Sequence, residues 1–274
     1  DESLEDVIEK TNFSLNQNEK LIKFCKKNSI QYLCTPFSIK AADELNSIGV
    51  EAFKTGSGEL TNIPFMEHLA KLGKPMIVST GMSTPKEIHE TVKVIKKFNT
   101  PLALMHCISA YPCNYEIMNL DYIKTLISKY RIPVGLSDHT PNIFSALGAV
   151  SLGASLIEKH FTFDKNLPGP DHKSSIDLKE LNLLVEGCNA NFLSRGKQKK
   201  IFKEEKEIIS WARETVVSIK NIKKGDKLSR INIATKRPSP KNNEIPANKF
   251  FKVLNKTANK NIKENRKLKF SDLK

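Results

Sequence analysis

Four clusters of polar residues in this chain could carry chemistry, and each follows a short apolar run. Lys54-Thr-Gly-Ser-Gly-Glu59 sets a cation, a hydroxyl and a carboxylate around two glycines that let the backbone approach a ligand closely, a combination suited to gripping phosphate. Ser79-Thr-Gly-Met82 is a second small polar turn. Gly135-Leu-Ser-Asp-His-Thr140 and Glu158-Lys-His-Phe161 each place a histidine at or just past the end of an apolar run. Neutral imidazole is a common ligand for borderline divalent ions, so His139 and His160 are candidates to share one metal, with positions left open for water and substrate. Pro168-Gly-Pro-Asp171-His-Lys is a rigid turn carrying a carboxylate, and Cys107-Ile-Ser-Ala-Tyr-Pro112 places Ser109 and Tyr111 beyond another apolar run.

The apolar runs must position these groups. Between residue 14 and about residue 195, short β-rich runs alternate with amphipathic helical stretches, the rhythm of repeated βαβ units. The predicted strands are Gln31–Phe37, Ala52–Gly56, Pro75–Ser79, Leu102–Cys107, Pro133–Ser137 and Leu156–Phe161, nearly continuous in apolar residues as parallel strands covered on both faces should be. Ser14 is the predicted N-cap of a helix over Leu15–Asn28. Thr84-Pro85-Lys86-Glu87 combines a capping box with proline at the first helical position, and Ile88, Val92 and Ile95 follow at helical spacing. Asp177 opens a further helix to about Leu193, and Lys203–Arg213 reads as a charged one. Six parallel strands do not close a barrel, which needs eight, so an open doubly wound sheet competes with a barrel here. Polar residues at the ends of nearly every strand favour the barrel, where all strand ends converge on one mouth.

Charge divides the 274-residue chain unevenly: residues 1–214 carry 27 basic and 26 acidic groups, residues 215–274 carry 17 and 4, so the balance is +1 against +13. The tail holds an internal repeat, Lys220-Asn-Ile-Lys-Lys-Gly-Asp-Lys-Leu and Lys260-Asn-Ile-Lys-Glu-Asn-Arg-Lys-Leu, identical at six of nine positions. It reads as a small β-rich module with two related halves. A +13 tail suits a polyanionic partner, but its aromatics are limited to Phe250, Phe251 and Phe270 and no recognised nucleic-acid motif appears, so no specific nucleic-acid partner is expected. No run approaches the ~18 apolar residues of a membrane span. The acidic start Asp1-Glu-Ser-Leu-Glu5 has no basic or apolar leader character, and the five cysteines form no Cys-x-x-Cys pair, which fits a reducing cytoplasm.

Taken together in order and spacing, Thr35-Pro-Phe, Phe53-Lys-Thr-Gly-Ser-Gly-Glu-Leu60, Ser79-Thr-Gly-Met82, His106-Cys, Tyr111-Pro, Gly135-Leu-Ser-Asp-His-Thr140, Glu158-Lys-His-Phe-Thr162 and Leu167-Pro-Gly-Pro-Asp-His172 resemble the sialic acid synthase (N-acetylneuraminate synthase) family. The tail, with Lys236-Arg-Pro between its two repeats, is similar to that family's antifreeze-like (SAF) domain. The resemblance implies a (β/α)8 TIM barrel, here without its first two strands, followed by a small β-rich SAF domain. It places a partial barrel over residues 1–200, a helical linker over 201–214 and the SAF domain over 215–274. The two further strands would account for roughly 75 residues ahead of Asp1, with the runs at Gln31 and Leu156 left as open edges.

The same resemblance implies the activity: condensation of phosphoenolpyruvate with an N-acylated hexosamine, assisted by a manganese or magnesium ion, in a domain-swapped homodimer. Lys54, Ser57, Ser79, Ser109 and Ser137 would hold phosphoenolpyruvate, Ser109 standing where some members have asparagine. His139 and His160 would hold the metal. Glu59 and Asp171 would be catalytic and, with Tyr111, would handle the sugar, while Arg237 would reach it from the tail of the other subunit. The alternatives are a catalytically incomplete remnant and a nucleic-acid-binding protein using the basic tail.

Overall fold

A computed structural model describes residues 9–274. The acidic start at Asp1–Glu5 lies outside the described residues. The chain forms two compact units, one reaching to Arg195 and one running from Gly196 to Lys274.

The first unit is built on five parallel strands: β1 (Phe53–Thr55), β2 (Met76–Ser79), β3 (Leu102–Cys107), β4 (Val134–Asp138) and β5 (Leu156–Lys159). They lie side by side in sequence order, each paired in parallel with the next. A doubly wound sheet reverses its order at a switch point, and this sheet has none, so its topology is that of a barrel segment. The expected strand at Gln31–Phe37 does not form. Only a single bridge, Cys34 to Phe53, and one long hydrogen bond from the Lys54 N–H to the Cys34 carbonyl remain of it. Pro36 offers no donor, and among the described residues no strand pairs with the outer side of this run, so nothing fixes it as a ladder.

Helices α1 (Leu15–Lys27), α2 (Ile39–Ser47), α3 (Ile63–Lys71), α4 (Pro85–Lys96), α5 (Tyr122–Tyr130), α6 (Phe144–Leu152) and α7 (Leu178–Ser194) accompany the strands. Their starts follow local chemistry. Ser14, Thr84 and Asp177 each close a capping box, with Gln17, Glu87 and Glu180 respectively. In α4 the residues Ile88, Val92 and Ile95 are buried, as their spacing requires. One face of the sheet supplies Phe53, Met76, Val78, Leu102, Leu104, Val134 and Leu136 to a core shared with these helices. The opposite face, by the two-residue alternation of strands, carries Lys54, Ser79, Cys107, Ser137 and Glu158.

The second unit has its own core of Val216, Ile222, Leu228, Ile233, Ile245, Val253, Ala258, Ile262 and Leu268. Strands β6 (Thr215–Ser218) and β7 (Ile233–Lys236) pair antiparallel. The two sequence repeats meet: the Ile222 and Ile262 backbones exchange hydrogen bonds, Asn261 caps the Lys224 N–H and Asn221 caps the Glu264 N–H. Gly225 and Asn265 hold the equivalent left-handed positions, at φ 94° and 58°. The 201–214 stretch, expected as a helical linker, is helical over α8 (Glu205–Ala212) and hydrogen-bonded into this second unit, since Ser239 donates to the Ser210 and Ile209 carbonyls. No helix among the described residues is long and apolar enough to cross a membrane.

Candidate active site

Lys54 points from the middle of β1 away from the helix core, with only 8% of its surface exposed. A buried ammonium needs partners. Its Nζ donates to Ser79 Oγ and to the Thr55 carbonyl, both at 2.7 Å, and lies 3.4 Å from Glu158 Oε2. The other oxygen of Glu158 accepts from Ser137 Oγ at 2.7 Å. The ends of β1, β2, β4 and β5 are thus joined through one cation, one carboxylate and two hydroxyls.

A second group lies beside it around Cys107, the last residue of β3. Its sulfur is 3.6 Å from Ser57 Oγ and 3.9 Å from both Ser109 Oγ and His139 Nδ1. The Gly81 N–H donates to Ser57 Oγ at 3.1 Å, and a side chain at Gly81 would collide with Ser109 Oγ and with Ser57 Oγ. Glycine after β2 is therefore what lets the two serines close over the strand ends.

The third group is aromatic. The rings of Tyr111 and His139 are 4.0 Å apart between centroids, those of His139 and His160 are 5.3 Å apart in a T-shaped arrangement, and Asp171 Oδ2 is 3.4 Å from His160 Nδ1. Burial pulls the His160 imidazole below its ordinary value, with Asp171 only partly opposing, so this ring is neutral at neutral pH. For His139 burial acts in the same sense, but the Cys107 sulfur and the Ile108 carbonyl outweigh it and the net shift is upward. Burial, reinforced by Cys107 and Asp171, pushes the Tyr111 phenol up to about 12, so it remains a hydrogen-bond donor.

His139 Nδ1 donates to the Ile108 carbonyl at 2.8 Å, which fixes the tautomer and leaves Nε2 with its lone pair free of that bond. Among the described residues no three His, Cys, Asp or Glu side chains converge on one point. The donor set present is two adjacent imidazoles, which fits an open divalent-ion site in which water and substrate complete the shell.

Glu59 sits on the short turn after β1, with Oε2 buried and without a hydrogen-bond partner. Gly56 makes room for it, since a Cβ there would lie 2.5 Å from that oxygen. Arg237 belongs to the second unit, where its guanidinium lies 5.9 Å from the Trp211 ring centroid. The structure thus brings Lys54, Ser79 and Ser137 into one group, Ser57 and Ser109 into a second, and Tyr111, His139, His160 and Asp171 into a third. His106, one residue before Cys107, faces the other way and bonds the Met118 carbonyl.

Sequence reasoning left Glu158 out of the site. A signal for it existed: with His160 assigned to the strand end, alternation puts Glu158 on the same face two residues earlier. Cys107 was missed as the hub of the serine group because an apolar context does not mark a thiol as a contact residue.

Residues 1–200 match the model of the NeuB family and residues 213–274 match that of the SAF domain. The chain is 40% identical over 268 residues to an N,N'-diacetyllegionaminic acid synthase of Campylobacter jejuni, covering 96% of this chain and 79% of that one. It is 46% identical over 221 residues to an uncharacterized protein of Methanocaldococcus jannaschii, covering 80% of this chain and 66% of that one. Among solved structures, N-acetylneuraminic acid (sialic acid) synthetase from Leptospira borgpetersenii superposes with a TM-score of 0.68 at 38% identity, over 72% of this chain and 70% of that one.

Proposed function

Because the chain belongs to the NeuB family, we propose that it condenses phosphoenolpyruvate with an N-acylated hexosamine, N-acetylmannosamine or a 2,4-diacetamido analogue, giving a nonulosonic acid and phosphate. The observation that carries this reading is the buried Lys54 ammonium bonded to Ser79 and held by Glu158, beside the two imidazoles. A trianionic substrate needs a desolvated cation with several hydroxyl donors, and Lys54, Ser57, Ser79, Ser109 and Ser137 are that set. The C. jejuni relative is named for a diacetylated product, which favours a diacetamido sugar as substrate.

In the reaction, C3 of phosphoenolpyruvate forms a bond to the sugar's aldehyde carbon, whose oxygen takes a proton. Water adds at C2, the C2–O bond to phosphorus-bearing oxygen breaks, phosphate leaves and a 2-keto acid remains. Manganese or magnesium, when held by His139 and His160, supplies Lewis-acid polarisation of the aldehyde. Glu59, with its unpartnered buried oxygen, and Asp171 exchange the protons. Tyr111, protonated well beyond neutral pH, donates to the sugar. Arg237 from the second unit of a partner subunit binds the N-acyl group in a domain-swapped homodimer, and the setting is the cytoplasm, where phosphoenolpyruvate is available.

The test supplies the protein with phosphoenolpyruvate, Mn2+ and a panel of N-acylated hexosamines and follows phosphate release. Release with one class of sugar is expected; none with any sugar sinks the proposal.

A further inference from the structure

Two charged side chains beside the histidines take no part in the reaction proposed above. Asp138 and Lys159 are direct register partners across β4 and β5, and each immediately precedes one of the histidines. By strand alternation they point to the opposite face, into the layer between sheet and helix. There Lys159 is among the residues lining a cavity that also takes in Leu181, Leu184 and Val185 of α7. Lys159 Nζ lies 3.2 Å from Asp138 Oδ2, and the two side chains are 3% and 0% exposed.

The pair also reaches around His139. Asp138 Oδ1 accepts from the backbone N–H of Thr140 at 2.9 Å and from its hydroxyl at 2.8 Å, and Lys159 Nζ donates to the Thr140 carbonyl. The residues on both sides of His139 are therefore tied to the residue before His160. A buried ion pair is weak evidence for stability, because apolar residues of similar volume would serve as well. What it adds is a fixed geometry between two elements.

We infer that Asp138, Lys159 and Thr140 form a positioning cluster that sets the distance and angle between the His139 and His160 rings. The inference rests on the reading of those rings as donors to one ion, and it predicts a cost of the size seen when groups supporting metal ligands are removed. The Ser-Asp-His-Thr and Glu-Lys-His motifs then each encode one ligand together with its own alignment.

The experiment compares the wild type, Lys159→Met and the double variant Asp138→Asn with Lys159→Met, which removes the pair without leaving a charge buried alone and so guards against failure to fold. Two quantities are read on each folded protein. The first is the set of imidazole ring-proton signals of His139 and His160 without metal, which ring currents from Tyr111 and from each other make sensitive to ring placement. The second is the affinity and visible absorption band of Co2+ as a spectroscopic probe. The expected result is movement of both rings' signals in both variants, with Co2+ bound about 10–100-fold more weakly and an altered band. Variants that melt earlier yet keep wild-type ring signals and a wild-type Co2+ band overturn the inference, since a purely structural role would do that. If the wild type gives no Co2+ band while the ring signals move in the variants, the positioning stands and the metal reading falls. If the wild type gives no Co2+ band and the ring signals do not move in the variants, both fall.

Discussion

At the scale of single residues, the site depends on space as much as on charge. Gly56 leaves room for the buried oxygen of Glu59, and that oxygen belongs to the free end of a flexible side chain. Gly56→Ala should therefore fold with a melting temperature close to wild type while the carboxylate is pushed aside and kcat falls about 100-fold, the scale of a lost acid or base. Comparing thermal melts with phosphate-release rates checks the separation. For the histidines, replacing both His139 and His160 by Ala should abolish divalent-ion dependence together with activity; calorimetry that still detects Mn2+ at the site would place its donors elsewhere. Tyr111 gives a prediction in pH. Its phenol is held at about 12, chiefly by burial, so it is protonated across the working range and cannot produce an alkaline limb near neutrality. Tyr111→Phe should lower kcat and leave the shape of the pH–rate profile between about pH 6 and 9 unchanged. Of these residues Lys54, His139 and His160 were legible from type and position at the ends of apolar runs. Glu158 was legible only through strand alternation.

At the scale of elements, the spacing of β4 and β5 decides whether the groups can meet. A Cβ at Gly135 would lie 2.6 Å from the Leu156 carbonyl oxygen, 2.8 Å from Leu156 Cβ and 2.5 Å from Met105 Sδ. The first of these is backbone of the adjacent strand and cannot swing aside. Gly135→Ala should push β5 from β4 and cost about 1–3 kcal/mol, measured by denaturant unfolding, with activity lost in the folded fraction. The helices were readable because caps are local: Ser14, Thr84 and Asp177 each satisfy a backbone donor three residues ahead. Gln31–Phe37 was misread for the complementary reason. Its β-rich composition is real, yet a strand requires partners along its length, and the run makes one bridge.

For the whole molecule, the two units hold separate cores, so their stabilities can respond to conditions separately. The second unit carries an acid-sensitive contact. Asp272 is buried and its Oδ2 accepts from the Lys269 N–H at 2.9 Å, while Lys260 Nζ lies 2.5 Å from Oδ1. Burial alone would raise this carboxyl, but the bonds to Lys260 and Lys269 win and hold it below the ordinary carboxylate range. A depressed folded pKa contributes stability that is complete above the unfolded value near 4 and is lost as pH falls through the folded one. Acidification below about pH 4 should therefore loosen the second unit. Asp272→Asn should lower its neutral-pH stability by about 1–3 kcal/mol and flatten that acid response, as followed by calorimetry at several pH values. The surplus of basic residues in the same unit has a simple electrostatic consequence, an attractive field for anions such as phosphoenolpyruvate, which salt would weaken.

The sequence by itself determined the alternation of strand and helix, the caps, the two-part charge and the paired repeats. Each of these is written in residues near one another along the chain. It also placed Lys54, Ser57, Ser79, Ser109, Ser137, His139 and His160 at or beyond strand ends, because apolar runs followed by polar residues mark those ends directly. Only the tertiary structure decided which ends are neighbours. The curl of the sheet brings Lys54 on one edge strand to Glu158 on the other across 104 positions, register pairs Asp138 with Lys159, and neither spacing has any period that a linear reading could detect. Contacts between distant residues follow from how strands stack in register, and that register is settled by the packing of the whole sheet against its helices.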